Sequence, residues 1–182
     1  FYAWGEPTYI FLLLASVIMN WTLGMGIERF VKYKKQLLVL DIIGNLLVLG
    51  YFKYCNFAIN TLDHLLPVLH LSRTNIALPI GISFFTFRAM SYVIDLYCGH
   101  YKAEKNILNL GLYISFFPQL LAGPIVKYRD INEQITVRTV NREKMVSGFR
   151  RFIYGLGKKV IISNLLSVAV DKIFALDMSQ MT

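Results

Sequence analysis

Apolar residues gather into five runs along this chain, and most of the charge lies between them. Thr8 to Ile27 holds no charge in 20 residues, with Trp4 and Tyr9 at its start. Crossing about 30 Å of hydrocarbon at about 1.5 Å per residue takes about 20 apolar residues. The run fits that length, its aromatics fit interfacial anchors, and Gly24 and Gly26 allow close helix contact. A second run, Gln36 to Phe52, carries Asp41 near its start. A third, Ile76 to Cys98, contains Arg88 and Asp95. A fourth, Ile107 to Val126, is uncharged but interrupted by Pro118 and by Gly123-Pro124. A fifth, Val160 to Leu176, is weaker and carries Ser163, Asn164, Ser167 and Asp171. The pattern predicts an all-α, polytopic membrane helix bundle with broken or re-entrant helices, organised as a single membrane domain over 1–182.

Composition supports this class. Hydrophobic residues make up 55% and charged residues 16%, against about 45–50% and about 25% in soluble domains. Disorder, a coiled coil and a small disulfide scaffold are excluded. No basic stretch precedes the first run, so a signal peptide is not expected. The net charge of +8 changes the picture through its distribution. It sits in loops beside membrane runs, so it reads as cytoplasmic loop charge, and nucleic acid is not an expected partner.

The positive-inside rule then sets a topology. Residues 28–35 hold Arg29, Lys32, Lys34 and Lys35 against Glu28, which places them inside. Alternate crossings put 53–75 outside and 99–106 inside. A fourth crossing would put the most basic stretch outside, because 127–159 holds nine basic residues against three acidic ones. The conflict disappears if residues 107–126 re-enter and return. Pro118 and Gly123-Pro124 mark that run, because proline breaks the helix ladder. Irregular backbone survives at membrane depth where protein buries it or where it lines a wet cavity. The same topology puts Cys55 near the outer face and Cys98 near the inner one, so they are not expected to pair.

Two segments are candidates for chemistry. Leu78 to Asp95 mixes Pro79, Gly81, Ser83, Thr86, Ser91, Arg88 and Asp95 into an apolar run. Charges at that depth face a bundle interior or a wet cavity. Arg88 and Asp95 are seven residues apart, so a helix puts them on one face about 10 Å apart. They read as the polar lining of a substrate path, as a structural ion pair, or as an Asp95 that reaches the inner interface. In Ser115 to Ile125 the prolines and Gly123 dictate an irregular path, and Gln119 can bond freed carbonyls or a ligand. A packed helix break without ligand is the alternative.

Met145, Phe149, Phe152, Ile153, Leu156 and Val160 recur at helical spacing among Arg150, Arg151, Lys158 and Lys159. This stretch suits either an interfacial helix on anionic lipid or recognition of a phosphate-bearing donor such as coenzyme A or an acyl carrier. His64, His70 and His100 form no metal motif, and no metal is expected. No Gly-rich phosphate loop and no Gly-x-Ser-x-Gly motif occurs. Physics alone reaches a membrane bundle with a broken, polar-lined interior and no complete catalytic set; a non-enzymatic transport or channel component for polysaccharide or lipid is the alternative to an enzyme.

The residues Leu78-Pro79-Ile80-Gly81-Ile82-Ser83-Phe84-Phe85-Thr86-Phe87, then Ser91-Tyr92-Val93-Ile94-Asp95, resemble membrane-bound O-acyltransferases of the alginate O-acetylase type. So do Ser115-Phe116-Phe117-Pro118-Gln119-Leu120 and Ala122-Gly123-Pro124-Ile125-Val126. Gly148 to Lys159 followed by Ser163-Asn164 is similar to the family's next segment. Arg88 and Cys98 depart from the family's pattern, moving basic charge deeper into the run. The resemblance implies a multi-pass enzyme of the cell membrane that moves an acyl group, acetyl by preference, onto hydroxyls of an exported polysaccharide. It implies a thioester donor such as acetyl-CoA or an acyl carrier, no bound cofactor, lipid surroundings, and periplasmic or surface partner proteins. It also implies that the chain is the N-terminal-half fragment of a larger O-acyltransferase. The family's essential histidine is expected beyond this stretch, since none of His64, His70 or His100 matches it. No catalytic residue is assigned, and the stretch alone is expected to be inactive. Ser83, Arg88, Asp95, Gln119, Gly123 and Pro124 are the substrate-path candidates.

Overall fold

The computed structural model describes residues 2–65, 76–120, 123, 126–136 and 141–175. His70 and Pro124 lie outside the described residues. All regular structure among the described residues is helical, as the apolar runs predict. Two compact units divide the chain at residues 136 and 137.

The first unit opens with a short turn of helix, α1 (Tyr2–Gly5), and then α2 (Ile10–Arg29). The 20 residues of α2 reach about 30 Å, one hydrocarbon thickness. A 3-10 turn, Val31–Tyr33, leads into α3 (Lys34–Leu65). Helix α3 has 32 residues, about 48 Å of helix, and runs well past the expected end at Phe52. The stretch 53–65 contains neither proline nor glycine, and Tyr54, Phe57, Ala58, Thr61, Leu62 and Leu65 recur at helical spacing. The helix therefore has no local reason to stop. Asn56 then ties the returning chain: its amide donates to the Ile76 carbonyl at 2.8 Å and accepts from the Ile76 N–H at 3.1 Å.

The third run starts without regular structure. Gly81, at φ 76°, supplies the left-handed turn from which α4 (Ile82–Tyr97) departs. With 16 residues α4 is about 24 Å long, short of a full span. It is the most enclosed helix, packed against α2, α3 and the following α5 (Ile107–Ser115). Phe85, Ala89, Tyr92 and Val93 are fully buried. Gly24 permits the close approach of α2, since a Cβ there would lie 3.1 Å from the Tyr92 ring. Gly26 plays the same part against Leu37 of α3, at 3.2 Å.

Helices α2, α3 and α4 alternate in direction. Tyr2 and Tyr9 donate to the Ile80 and Ala77 carbonyls, so the start of α2 lies beside the approach to α4. At the opposite end the Lys34 ammonium sits over the Tyr97 ring, 4.9 Å from its centre. Glu28 there accepts from the Ala103 N–H at 2.6 Å. Cys55 belongs to the Asn56 end and Cys98 to the Tyr97 end.

From that second end rises the fourth run. Helix α5 is capped by Asn106, whose side chain accepts from Leu108 N–H. It stops after nine residues, the backbone opens at Phe116 (φ −58°, ψ 115°), and a four-residue α6 (Phe117–Leu120) follows. Helix α7 (Tyr128–Thr136) begins where α5 began: Tyr128 donates to one carboxylate oxygen of Glu104 at 2.5 Å. The other oxygen of Glu104 accepts from Asn106 N–H at 2.8 Å. The run therefore leaves one end of the bundle and comes back to it, the re-entrant path that the charge distribution required.

The second unit is described over residues 141–175. Asn141 caps α8 (Arg142–Gly157), accepting from Glu143 N–H at 3.0 Å. A π-helical stretch, Lys158–Ser163, joins it to α9 (Asn164–Phe174). The basic amphipathic stretch 145–160 and the fifth apolar run are thus one continuous helix. It covers 33 residues, long and apolar enough to cross a membrane. No side chain of this helix is buried.

Candidate functional site

The break between α5 and α6 is organised by Arg88. Its side chain, 1% exposed, reaches from the middle of α4 to the backbone of the fourth run. Nη1 donates to the Ile114 carbonyl at 2.8 Å and to the Tyr113 carbonyl at 3.3 Å. Nη2 donates to the Gln119 carbonyl at 2.5 Å. The Tyr113 ring lies beneath the guanidinium, 6.0 Å from ring centre to Cζ. The carbonyls freed by the break are met by this cation, and the Gln119 side chain takes no part. The side-chain oxygen of Gln119 is buried without a hydrogen-bond partner, as is Nε of Arg88.

Gly123 completes the fold-back. A Cβ there would fall 2.5 Å from Gln119 Cα and 2.7 Å from the Pro118 carbonyl oxygen. Backbone atoms cannot give way as side chains do, so glycine is required by contact. Tyr113 then pins the returning strand of chain, donating to the Val126 carbonyl at 2.9 Å. Its hydroxyl also lies 3.3 Å from Ser91 Oγ, which donates to the Arg88 carbonyl at 2.8 Å.

The other candidates fall along α4. Ser83 is half-buried in its first turn. Asp95 is 8% exposed near its last turn. One Asp95 oxygen is 3.6 Å from His100 Nδ1 and the other is buried without a hydrogen-bond partner. Arg88 and Asp95 share the buried face of α4, as their spacing predicts, but they do not pair. Arg88 engages the α5–α6 backbone, and Asp95 turns to the loop after α4. Arg88, Gln119 and Gly123 meet at one place, whereas Ser83 and Asp95 stand toward the two ends of the same helix.

Two polar clusters carry no sign in the sequence reading. At the end shared by α4, α5 and α7, the rings of Tyr92, Tyr101, Tyr113 and Tyr128 pack with centroids 5.1 to 5.7 Å apart. Tyr101 donates to the Tyr92 carbonyl at 2.5 Å, and the Tyr92 hydroxyl accepts from Glu104 N–H at 3.0 Å. Burial, followed by the hydrogen bond to Glu104, holds the Tyr128 phenol well above the ordinary range; burial does the same to Tyr101. Both phenols therefore stay neutral donors. The second cluster lies between α2 and α3, where Asn20 and Asn45 exchange amide hydrogen bonds at 3.1 and 3.3 Å. Asn45 also donates to Asp41 Oδ2 at 3.1 Å. Asn20 and Asp41 are fully buried. The sequence does hold a signal for this pair: Ser16 and Asn20, and Asp41 and Asn45, each sit four residues apart on facing apolar helices.

No group of three or more His, Cys, Asp or Glu side chains among the described residues could hold a metal ion. What the site offers instead is irregular backbone held by one buried cation, with an unpartnered amide oxygen beside it.

Apolar helices long enough to cross a membrane, together with a re-entrant break between α5 and α6, define a multi-pass membrane protein. The chain belongs to the membrane-bound O-acyltransferase family, whose model matches residues 33–180. It is 35% identical to a probable alginate O-acetylase of Pseudomonas aeruginosa over 97% of this chain and 35% of that protein. The corresponding protein of Azotobacter vinelandii is 36% identical over 97% of this chain and 36% of its own length. A peptidoglycan O-acetyltransferase of Helicobacter pylori is 29% identical over 90% of this chain and 36% of that protein. The chain thus spans about a third of the length of the curated relatives it matches. No solved structure matches it.

Proposed function

We propose that the protein to which this chain belongs is an O-acyltransferase that moves an acetyl group from a thioester donor to hydroxyls of an exported polysaccharide. The observation that carries this is the 35% identity to an alginate O-acetylase along 97% of the chain, the re-entrant break included. The likeness to a peptidoglycan O-acetyltransferase gives the same reaction on a different glycan, so a polysaccharide hydroxyl is the common acceptor. Acetyl-CoA or an acyl carrier supplies the acyl group, and periplasmic or surface proteins present the polymer.

In this reading the acceptor hydroxyl attacks the thioester carbonyl. A neutral histidine supplied by the rest of the protein takes the hydroxyl proton; a C–O bond forms, the C–S bond breaks and the thiol leaves. This stretch contributes the wall of the path. Ser83, Arg88, Asp95, Gln119 and Gly123 border it, and the packed helices around them exclude water from the thioester. The test is the acetyl content of the cell's exopolysaccharide with and without the full gene. Loss of O-acetyl groups on deletion, restored by the gene, is expected; unchanged acetylation removes this reading for that polymer.

A further inference from the structure

A continuous helix would bond the Ile114 carbonyl to the N–H four residues on. That residue is Pro118, which has no N–H. The carbonyl is instead bonded by Arg88 Nη1 at 2.8 Å. The same guanidinium bonds Tyr113 before the break and Gln119 after it. A buried carbonyl without a donor is costly at membrane depth, and one planar cation replaces the missing donor while gripping both sides of the opening.

We propose that Arg88 is a positioning residue: it substitutes for the N–H that Pro118 lacks and fixes the α5–α6 opening in the geometry that acyl transfer uses. The transfer part rests on the function proposed above. A planar fork is needed, because a single ammonium cannot bridge carbonyls on two elements in fixed directions. With its Nη atoms committed to backbone, Arg88 shapes the path and leaves substrate contact to its neighbours.

The experiment uses the full-length protein in nanodiscs, with amide hydrogen exchange across 113–120 and acetyl transfer measured in parallel. Arg88→Met is expected to raise exchange there at least tenfold, leave α2 and α3 protected, and lower kcat at least tenfold with KM unchanged. Adding Pro118→Ala supplies the missing N–H. It should restore protection but not transfer, since the helix closes where the opening is required. Should Arg88→Met fail to fold, Arg88→Lys is read by the same criteria. Unchanged exchange overturns the proposal. So does transfer that returns together with protection, or a loss confined to KM, or loss of protection throughout the bundle in both variants. If the wild-type protein transfers no acyl group, the proposed function fails, while the exchange measurements still decide the clamp.

Discussion

The α5–α6 break and the α2–α3 seam both bury polar groups inside the first unit, for opposite purposes. In the seam, Asn20 and Asn45 bond each other across two helices whose own ladders are intact, and Asn45 also donates to Asp41 along α3. Those side chains tie elements together. At the break, Arg88 bonds only main-chain oxygens, and its work is to keep an element apart. Helix ends leave carbonyls unbonded, so an opening inside the membrane needs a donor from elsewhere. A seam between whole helices needs none and gains its polar pairs as optional adhesion.

The comparison predicts different tolerance to substitution. The largest effect is expected at the break. Gly123→Ala places a methyl against the Gln119 and Pro118 backbone and should cost about 3 kcal/mol. Thermal unfolding of the full-length protein in detergent reads it; a shift within error would show that the fold-back relaxes freely. The seam is expected to be intermediate. Asn20→Leu or Asn45→Leu leaves buried partners unbonded and should cost about 1–2 kcal/mol, while the double substitution costs less than the sum of the two. Additive losses would mean that the two amides act independently. The smallest effect is expected at Tyr113→Phe, which keeps the ring and deletes the bond to Val126, for about 1 kcal/mol. Enhanced proteolysis between α6 and α7 would accompany it; a loss as large as at Gly123 would move the weight of the fold-back onto this hydroxyl.

Much of the break was legible in the sequence because its cause is local. Pro118 removes a donor and Gly123 removes a side chain, and the charge asymmetry of 127–159 required a run that returns. Who satisfies the freed carbonyls was not legible. Arg88 lies 25 to 31 residues away in the chain, and its spacing suggested Asp95 as partner. The tyrosine cluster was hidden for the same reason: four aromatics scattered from 92 to 128 have no period, and the loop and re-entrant run bring them together. Helix ends failed in the other direction. Hydropathy marks where a helix is apolar, and α3 continues through Lys53 and Asp63 because helical geometry tolerates charge outside the hydrocarbon. The joining of 145–160 to the fifth run has the same origin.

The position of Arg88 ahead of its acceptors has a consequence for biogenesis. Tyr113, Ile114 and Gln119 are synthesised 25, 26 and 31 residues later. At about 5–20 residues per second the guanidinium waits on the order of a few seconds for its first carbonyl. Throughout that interval α4 carries an uncompensated cation, so it is expected to stay beside the insertion machinery, or at the lipid boundary, until the re-entrant run emerges. The order of synthesis therefore makes a later segment, the re-entrant run, the one that lets α4 settle.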